Sequence, residues 1–498
     1  ALYWKSHVPL NRGMACFDSG SVENHDYLIG VTNGLGLAYE VEYKDIADPS
    51  VYSYNADTGP HGEIYVTSGM NVVSRLLVSN GIGGFNEETY FYEDYGYLEG
   101  EVGGLGFRYI ETTSEDGKRI NEAWYLHEPY LHQTGHLERS QTSYLTDSGS
   151  LQVVSEQENT WETVLYSGSG FNVVGYDVSI WNGDAATSLR YRVQQVESES
   201  TSYDLNGAFK QSAVSTNDYD DFGNLTGVTT TTSGPQQTFT KTVTSQFDDY
   251  LDDWILGRIA RSTVTQTGSY NGVAVPSITK TSEWEYYSAS QSQFGGMVKK
   301  EIIEPDQPDL RKEKSYTYNA FGLKESVTTS VPGSAPRTVQ FGYDPRGRFQ
   351  TSMTNDLGHQ VTYTYDEVTG AKLTQQDPNG LVSSWEYDSV GRVVREQSPG
   401  GQATEVRLAS CVSGCPAHAA YYSETWAASA SGAVMSPKTR EYKDNLGRTV
   451  QTRSQGLDGT YIYNVAQYDS QGRLLRSSQP YEAGDTVYWD EILERAGL

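Results

Sequence analysis

His127, His132 and His136 lie close together beside Glu128, and imidazoles with a carboxylate are the donor set of a zinc site. Pro129 sits between them and the flanking residues alternate as strands do, so no helix can bring two imidazoles onto one face as a His-Glu-x-x-His motif requires. Asp218, Asp220 and Gly223 echo the start of a calcium loop, but its fifth position is Phe222 and no glutamate stands at the twelfth. Gly34-Leu35-Gly36 lacks the third glycine and the following helix of a phosphate loop, and reads as a turn. Cys411 and Cys415 could bridge, stay reduced or form a redox pair; nothing nearby would activate a thiol, which favours a structural bridge across an exposed loop. No serine or cysteine has a base partner at a recognisable spacing. The expectation is no catalytic residue, no cofactor and no metal.

The elements that carry these side chains are set by a repeat. Tyr343-Asp344-Pro345-Arg346-Gly347-Arg348, Tyr365-Asp366-Glu367-Val368-Thr369-Gly370 and Tyr387-Asp388-Ser389-Val390-Gly391-Arg392 follow one another, with tyrosines at 343, 365 and 387, a spacing of 22 each time. Tyr468-Asp469-Ser470-Gln471-Gly472-Arg473 is a fourth copy, and looser ones begin at Tyr219, Tyr318 and Tyr442. Asp344, Pro345 and Gly347 suit the first, second and fourth positions of a type I turn. Asn355-Asp356-Leu357-Gly358 and Asp377-Pro378-Asn379-Gly380 repeat that chemistry midway between the Tyr-Asp turns. One unit is then a β-hairpin, with two strands of about seven residues, each about 23 Å long, and two turns of about four. Val361, Tyr363 and Tyr365 fall on one face of their strand, Thr362, Thr364 and Asp366 on the other. Stacked hairpins are expected to align the repeat tyrosines into cross-strand ladders, with threonine pairs opposite.

Composition agrees. The 498 residues include 38 Tyr and 50 Gly but are only 37% hydrophobic, which favours strands and turns around a thin core. A net charge of −28 repels phosphate and argues against broad nucleic-acid binding or attachment to an anionic membrane. No run approaches the roughly 18 apolar residues of a membrane helix, and the start at Ala1 has no signal-peptide apolar segment, so a soluble piece of a larger protein is expected. Residues 1–195 are β-rich without the period, and 196–498 form the repeat strip. An insertion is expected around 393–441, an irregular stretch over 233–315, and a short helix-like segment from Trp489 to Ala496.

The Tyr-Asp-x-x-Gly-Arg units resemble the Rhs or YD repeats of bacterial polymorphic toxins, of the B and C components of Tc insecticidal toxin complexes, and of teneurins. Leu28-Ile29-Gly30-Val31-Thr32-Asn33-Gly34-Leu35-Gly36 followed by Tyr39 is similar to the segment after the SpvB-like propeller of Tc B components. Gly96-Tyr97-Leu98-Glu99-Gly100 with Gly104-Leu105-Gly106-Phe107 is similar to their middle region, which extends the likeness to residues 1–195. The resemblance implies an all-β strip of repeated hairpins that curls into a shell or spiral around a cytotoxic C-terminal polypeptide, in a secreted or cell-surface protein. No propeller precedes residue 1 and no variable toxin domain follows residue 498, so the chain is expected to be a segment of shell. Its implied partners are the missing N- and C-terminal parts, or like subunits, and a polypeptide passenger. Asp377-Pro378-Asn379-Gly380-Leu381 matches the Asp-Pro-x-Gly-Leu pattern at which Rhs proteins cut themselves, but inside a regular repeat the same residues make a tight turn, and a turn is expected.

The expected function is a non-enzymatic scaffold that encapsulates or presents a passenger; the alternative is an extracellular adhesin or self-assembling filament. The residues on which it would rest are Tyr343, Asp344, Gly347 and Arg348; Tyr365, Asp366 and Gly370; Tyr387, Asp388, Gly391 and Arg392; and Tyr468, Asp469, Gly472 and Arg473.

Overall fold

The structure is a computed structural model, and it describes residues 2–4, 27–54, 63–67, 69–98, 103–114, 117–128, 133–146, 148–166, 171–173, 191–251, 255–288, 293–456 and 458–491. Every named element in them is a β-strand. Trp489–Glu491, where a helix was expected, is a short strand paired with Leu474–Ser478; the rest of that segment lies outside the described residues. The chain forms two compact units, one of 1–44, 71–89 and 361–498, the other of 45–70 and 90–360.

In the second unit the strands from Gly103–Ser114 to Gln350–Thr354 form an antiparallel meander, in which Tyr191–Tyr203 pairs with Leu151–Tyr166 before it and Phe209–Tyr219 after it. The sheet thus runs through residue 195 without a break. In the first unit the same pairing runs from Gln360–Tyr365 to Tyr461–Tyr468. Strands between residues 312 and 397 are five to seven residues long. Gln237–Tyr250, Ile255–Tyr270 and Val273–Tyr286 are 14 to 16. The irregular stretch is therefore a place where hairpins lengthen, not where pairing stops. The same holds at 393–441, where Ala403–Ser410 and Tyr421–Ala428 pair in unbroken register and the extra residues form a loop closed by the Cys411–Cys415 disulfide.

Threonines line up across the long strands: Thr229 faces Thr242, Thr242 faces Thr265, and Thr265 faces Thr279. Thr231 and Thr240 are hydrogen-bonded at 3.1 Å and Thr265 and Thr279 at 3.3 Å. Such pairs contribute about 0.2–1 kcal/mol each and need no apolar core beneath them. Deep burial of apolar side chains is local. In the second unit Tyr52, Tyr92 and Tyr95 surround Phe107, the last two with ring centroids 4.7 and 5.0 Å from it.

The turns at Asp220, Asp377, Asp388, Asp444 and Asp469 share one geometry, and those at Asp344 and Asp366 are one residue longer. In Asp388-Ser389-Val390-Gly391-Arg392 the Gly391 N–H donates to Asp388 O and the Asp388 N–H to Arg392 O. This is a type I turn followed by a glycine at positive φ, a connection that suits the twist of a hairpin. Gly391 has φ +84 and no atom within 4 Å of where a Cβ would stand, so a side chain there meets backbone strain and no clash. Gly391→Val is expected to lower unfolding free energy by about 1–2 kcal/mol, against less than about 0.5 kcal/mol for Val390→Thr beside it. Equal denaturant midpoints for the two variants would overturn the turn assignment.

Candidate functional site: the tyrosine–aspartate edge

Each Tyr-Asp turn is a closed hydrogen-bonding unit. Asp388 Oδ1 accepts the N–H groups of Val390 and Arg392 at 3.0 and 2.9 Å, and its Oδ2 accepts Arg392 Nε at 2.6 Å. The backbone N–H of Arg392, then its guanidinium, hold the Asp388 carboxyl below the usual range. Asp469 repeats the arrangement with Gln471, Arg473 and the Arg473 guanidinium. Asp344 does so with the N–H groups of Arg348 and Phe349 and with Arg348 Nε. Asp366 has no arginine at that position; the Thr369 hydroxyl donates to it instead at 2.9 Å. Asp377 likewise spends Oδ1 on the N–H groups of Asn379 and Leu381. Asp220 does the same for Phe222 and Asn224, and Asn33 for Leu35 and Leu37. The calcium-loop and phosphate-loop echoes are therefore members of the same family of turns.

The tyrosines act through their hydroxyls. The register shifts by one at the repeat tyrosine of each hairpin, with Tyr343 facing Gln350, Tyr365 facing Lys372, Tyr387 facing Val393 and Tyr468 facing Leu474. They do not face one another, which corrects the expected cross-strand ladder: Tyr343, Tyr365 and Tyr387 stand on every second strand, with Gln350–Thr354 and Lys372–Gln376 between them. Instead Tyr343 Oη donates to Lys324 O and Tyr387 Oη to Lys372 O, both at 2.8 Å, and Tyr468 Oη to Thr449 O at 3.1 Å. Lys324 and Lys372 sit opposite Tyr318 and Tyr365, at the bulges of the preceding units. Each hydroxyl thus staples one hairpin to the carbonyl of the one before it, a bond worth about 1 kcal/mol.

Neighbouring turns also touch. A Cβ at Gly347 would meet the Phe321 ring of the preceding Tyr318-Asn319 turn at 2.6 Å, and one at Gly472 the guanidinium of Arg448 at 2.7 Å. Arg448 extends this contact over the length of the chain. It pairs with Asp444 at 2.7 Å, donates to Gly472 O, lies over the Tyr468 ring at 4.3 Å, and donates to Asn80 O, 368 positions away. Asn445 Nδ2 donates to Gly36 O. Two N-terminal turns are thereby clasped onto the repeat edge of the first unit. Asp444 is fully buried, and a Cβ at Gly81 would collide with both Asp444 and Arg448.

The RHS Repeat family model covers residues 368–403, which include the Asp388 turn. The chain carries an RHS repeat there. Its fold matches that of TcdB2-TccC3-Cdc42, at TM-score 0.67 and 11% identity, over 93% of this chain and 34% of that one. It also matches TcdB2-TccC3 without its hypervariable C-terminal region, at TM-score 0.66 and 11% identity over 91% and 33%, and a Photorhabdus luminescens Tc holotoxin pore, at 0.65 and 10% over 91% and 33%. The RHS-repeat chain spans about a third of the length of these structures. No curated protein matches it in sequence.

Of the histidines considered for zinc, His127 and His136 fall among the described residues and His132 does not. His136 stacks on Trp161, with centroids 4.5 Å apart. His127 is 3% exposed; burial lowers its pKa and Arg108 lowers it further, against Glu63 and Asp94, which raise it. Among the described residues no group of three His, Cys, Asp or Glu side chains is arranged to hold a metal. The Arg448 clasp and the buried group around His127 escape sequence reading, because nothing local marks residues 444 and 80, or 63 and 127, as neighbours.

Arg448→Met leaves the buried Asp444 without its cation and is expected to lower unfolding free energy by about 3 kcal/mol. Arg392→Met, whose arginine side chain is 55% exposed, is expected to cost less than about 1 kcal/mol. Urea midpoints of the two variants compare the sites directly, and equal shifts would remove the special role of Arg448. The pH dependence should have two stages. A buried histidine with lowered pKa makes stability fall as pH drops below about 6.5, because the unfolded chain binds the proton first. The turn aspartates, with depressed pKa, keep their contribution above about pH 4 and lose it below. In His127→Gln, a urea midpoint measured across pH should lose the upper stage and keep the lower; an unchanged upper stage would assign it elsewhere.

Proposed function

We propose that this RHS-repeat chain is a non-enzymatic scaffold, a segment of a β-shell that encloses or presents a toxin-like polypeptide passenger. Residues 1–195 are assigned to a region like the middle domain of Tc toxin B components, and 196–498 to the repeat strip. The observation that carries the reading is the fold match over 93% of the chain to TcdB2-TccC3. The turn chemistry supports it. The aspartates that sequence brings forward, Asp377 among them, are saturated by their own backbone N–H groups, which suits a building unit and leaves them poorly placed as acid or base. Partners on this reading are further parts of a toxin-like assembly, and the place of action is outside the cell that makes it.

Negative-stain electron microscopy of the purified chain at two concentrations tests it. Curved particles of constant size at both concentrations are expected. Fibres that lengthen with concentration would replace the shell with a surface filament built from the same hairpins.

A further inference from the structure

On the face of the long strands away from the threonine rows, Lys241, Ser262, Val264, Gln266, Ile278, Lys280, Ser282 and Trp284 line a groove of about 540 Å³. Its layout follows from register. Lys241 faces Gln266, which faces Ile278; one row along, Val264 faces Lys280; in the next, Ser262 faces Ser282. No carboxylate lines it, although Asp plus Glu outnumber Lys plus Arg by 64 to 36 in the chain. Among the described residues neither lysine has an ion-pair partner. The floor is apolar, formed by Val264, Ile278 and Trp284, while Ser262, Ser282 and Gln266 offer hydrogen bonds.

We propose that this groove binds an extended acidic polypeptide with an acidic-x-apolar-x-acidic pattern. Lys241 and Lys280 stand two strands apart and two residues out of step, so their Cα atoms are about 12 Å from each other. In an extended chain, side chains at i and i+4 project from the same face about 13 Å apart, with the i+2 side chain between them. Two carboxylates so spaced reach both ammonium groups while an apolar side chain at i+2 covers Val264 and Ile278. Two cations over an apolar floor fit this ligand better than a sulfated glycan, which presents dense anions and little apolar surface. The proposal concerns peptide recognition and holds whether or not the chain encloses a passenger.

The test is fluorescence anisotropy of a labelled peptide with a Glu-Ser-Phe-Ser-Glu core, titrated with the full chain. Saturable binding is expected, weakened by salt and reduced about tenfold or more in the Lys241→Glu, Lys280→Glu double variant. On the unaltered chain, a Lys-Ser-Phe-Ser-Lys peptide should fail to bind. Glu-Phe-Ser-Ser-Glu, which turns the ring to the other face, should bind several-fold more weakly. Equal binding of acidic and basic peptides, or unchanged affinity in the double variant, would overturn the proposal. So would binding of a sulfated oligosaccharide where the acidic peptide fails.

Discussion

The aspartate that closes each turn carries the rest of the structure. A strand of five to seven residues ends almost as soon as it begins, so a large share of its backbone N–H groups lies in or beside a turn. Asp388, Asp344 and Asp469 satisfy two of these groups with one oxygen and order an arginine with the other. Buried or half-buried N–H groups without partners are costly. A short hairpin stacked on others is therefore affordable only if its connection is self-sufficient.

That self-sufficiency permits a thin sheet. With little apolar surface to bury, cohesion between hairpins comes from many weak, evenly placed contacts: a tyrosine hydroxyl on the previous bulge, threonine hydroxyls across strands, and a side chain of one turn against the glycine of the next. Each is small, and they add along the strip because each unit meets mainly its neighbours. Tyr343 and Tyr387 each stand at a bulge, and their hydroxyls reach carbonyls at the bulges of the units before.

The turn at Asp444 shows how the same motif acquires a second use. Asp444 and Arg448 make the same ion pair as Asp388 and Arg392, yet the former carboxylate is fully buried and the latter pair is open to solvent. Burial comes from the Asn80 and Gly36 turns seated on it. An ion pair worth little on a surface becomes demanding once its carboxylate is sealed from water, since removing either partner strands the other.

Local chemistry was legible in the chain: the hairpin repeat, the glycine-closed turns, the alternation of faces and the all-β class all depend on residues within a few positions of one another. The regular units were easiest to see because their strands stay short; at 233–315 and 393–441 the period vanishes while the pairing persists, since lengthening two strands together moves the turns without changing the register. Tertiary structure alone decided what the tyrosines touch, because they stand on every second strand and their hydroxyls reach carbonyls of the strand before instead of one another. It alone brought Asn80 to Arg448, enclosed His127 with Glu63, and set Lys241 and Lys280 over one groove. Such meetings depend on how many strands intervene and how each bulge offsets the next, quantities that accumulate along the sheet and leave no mark at the residues they join.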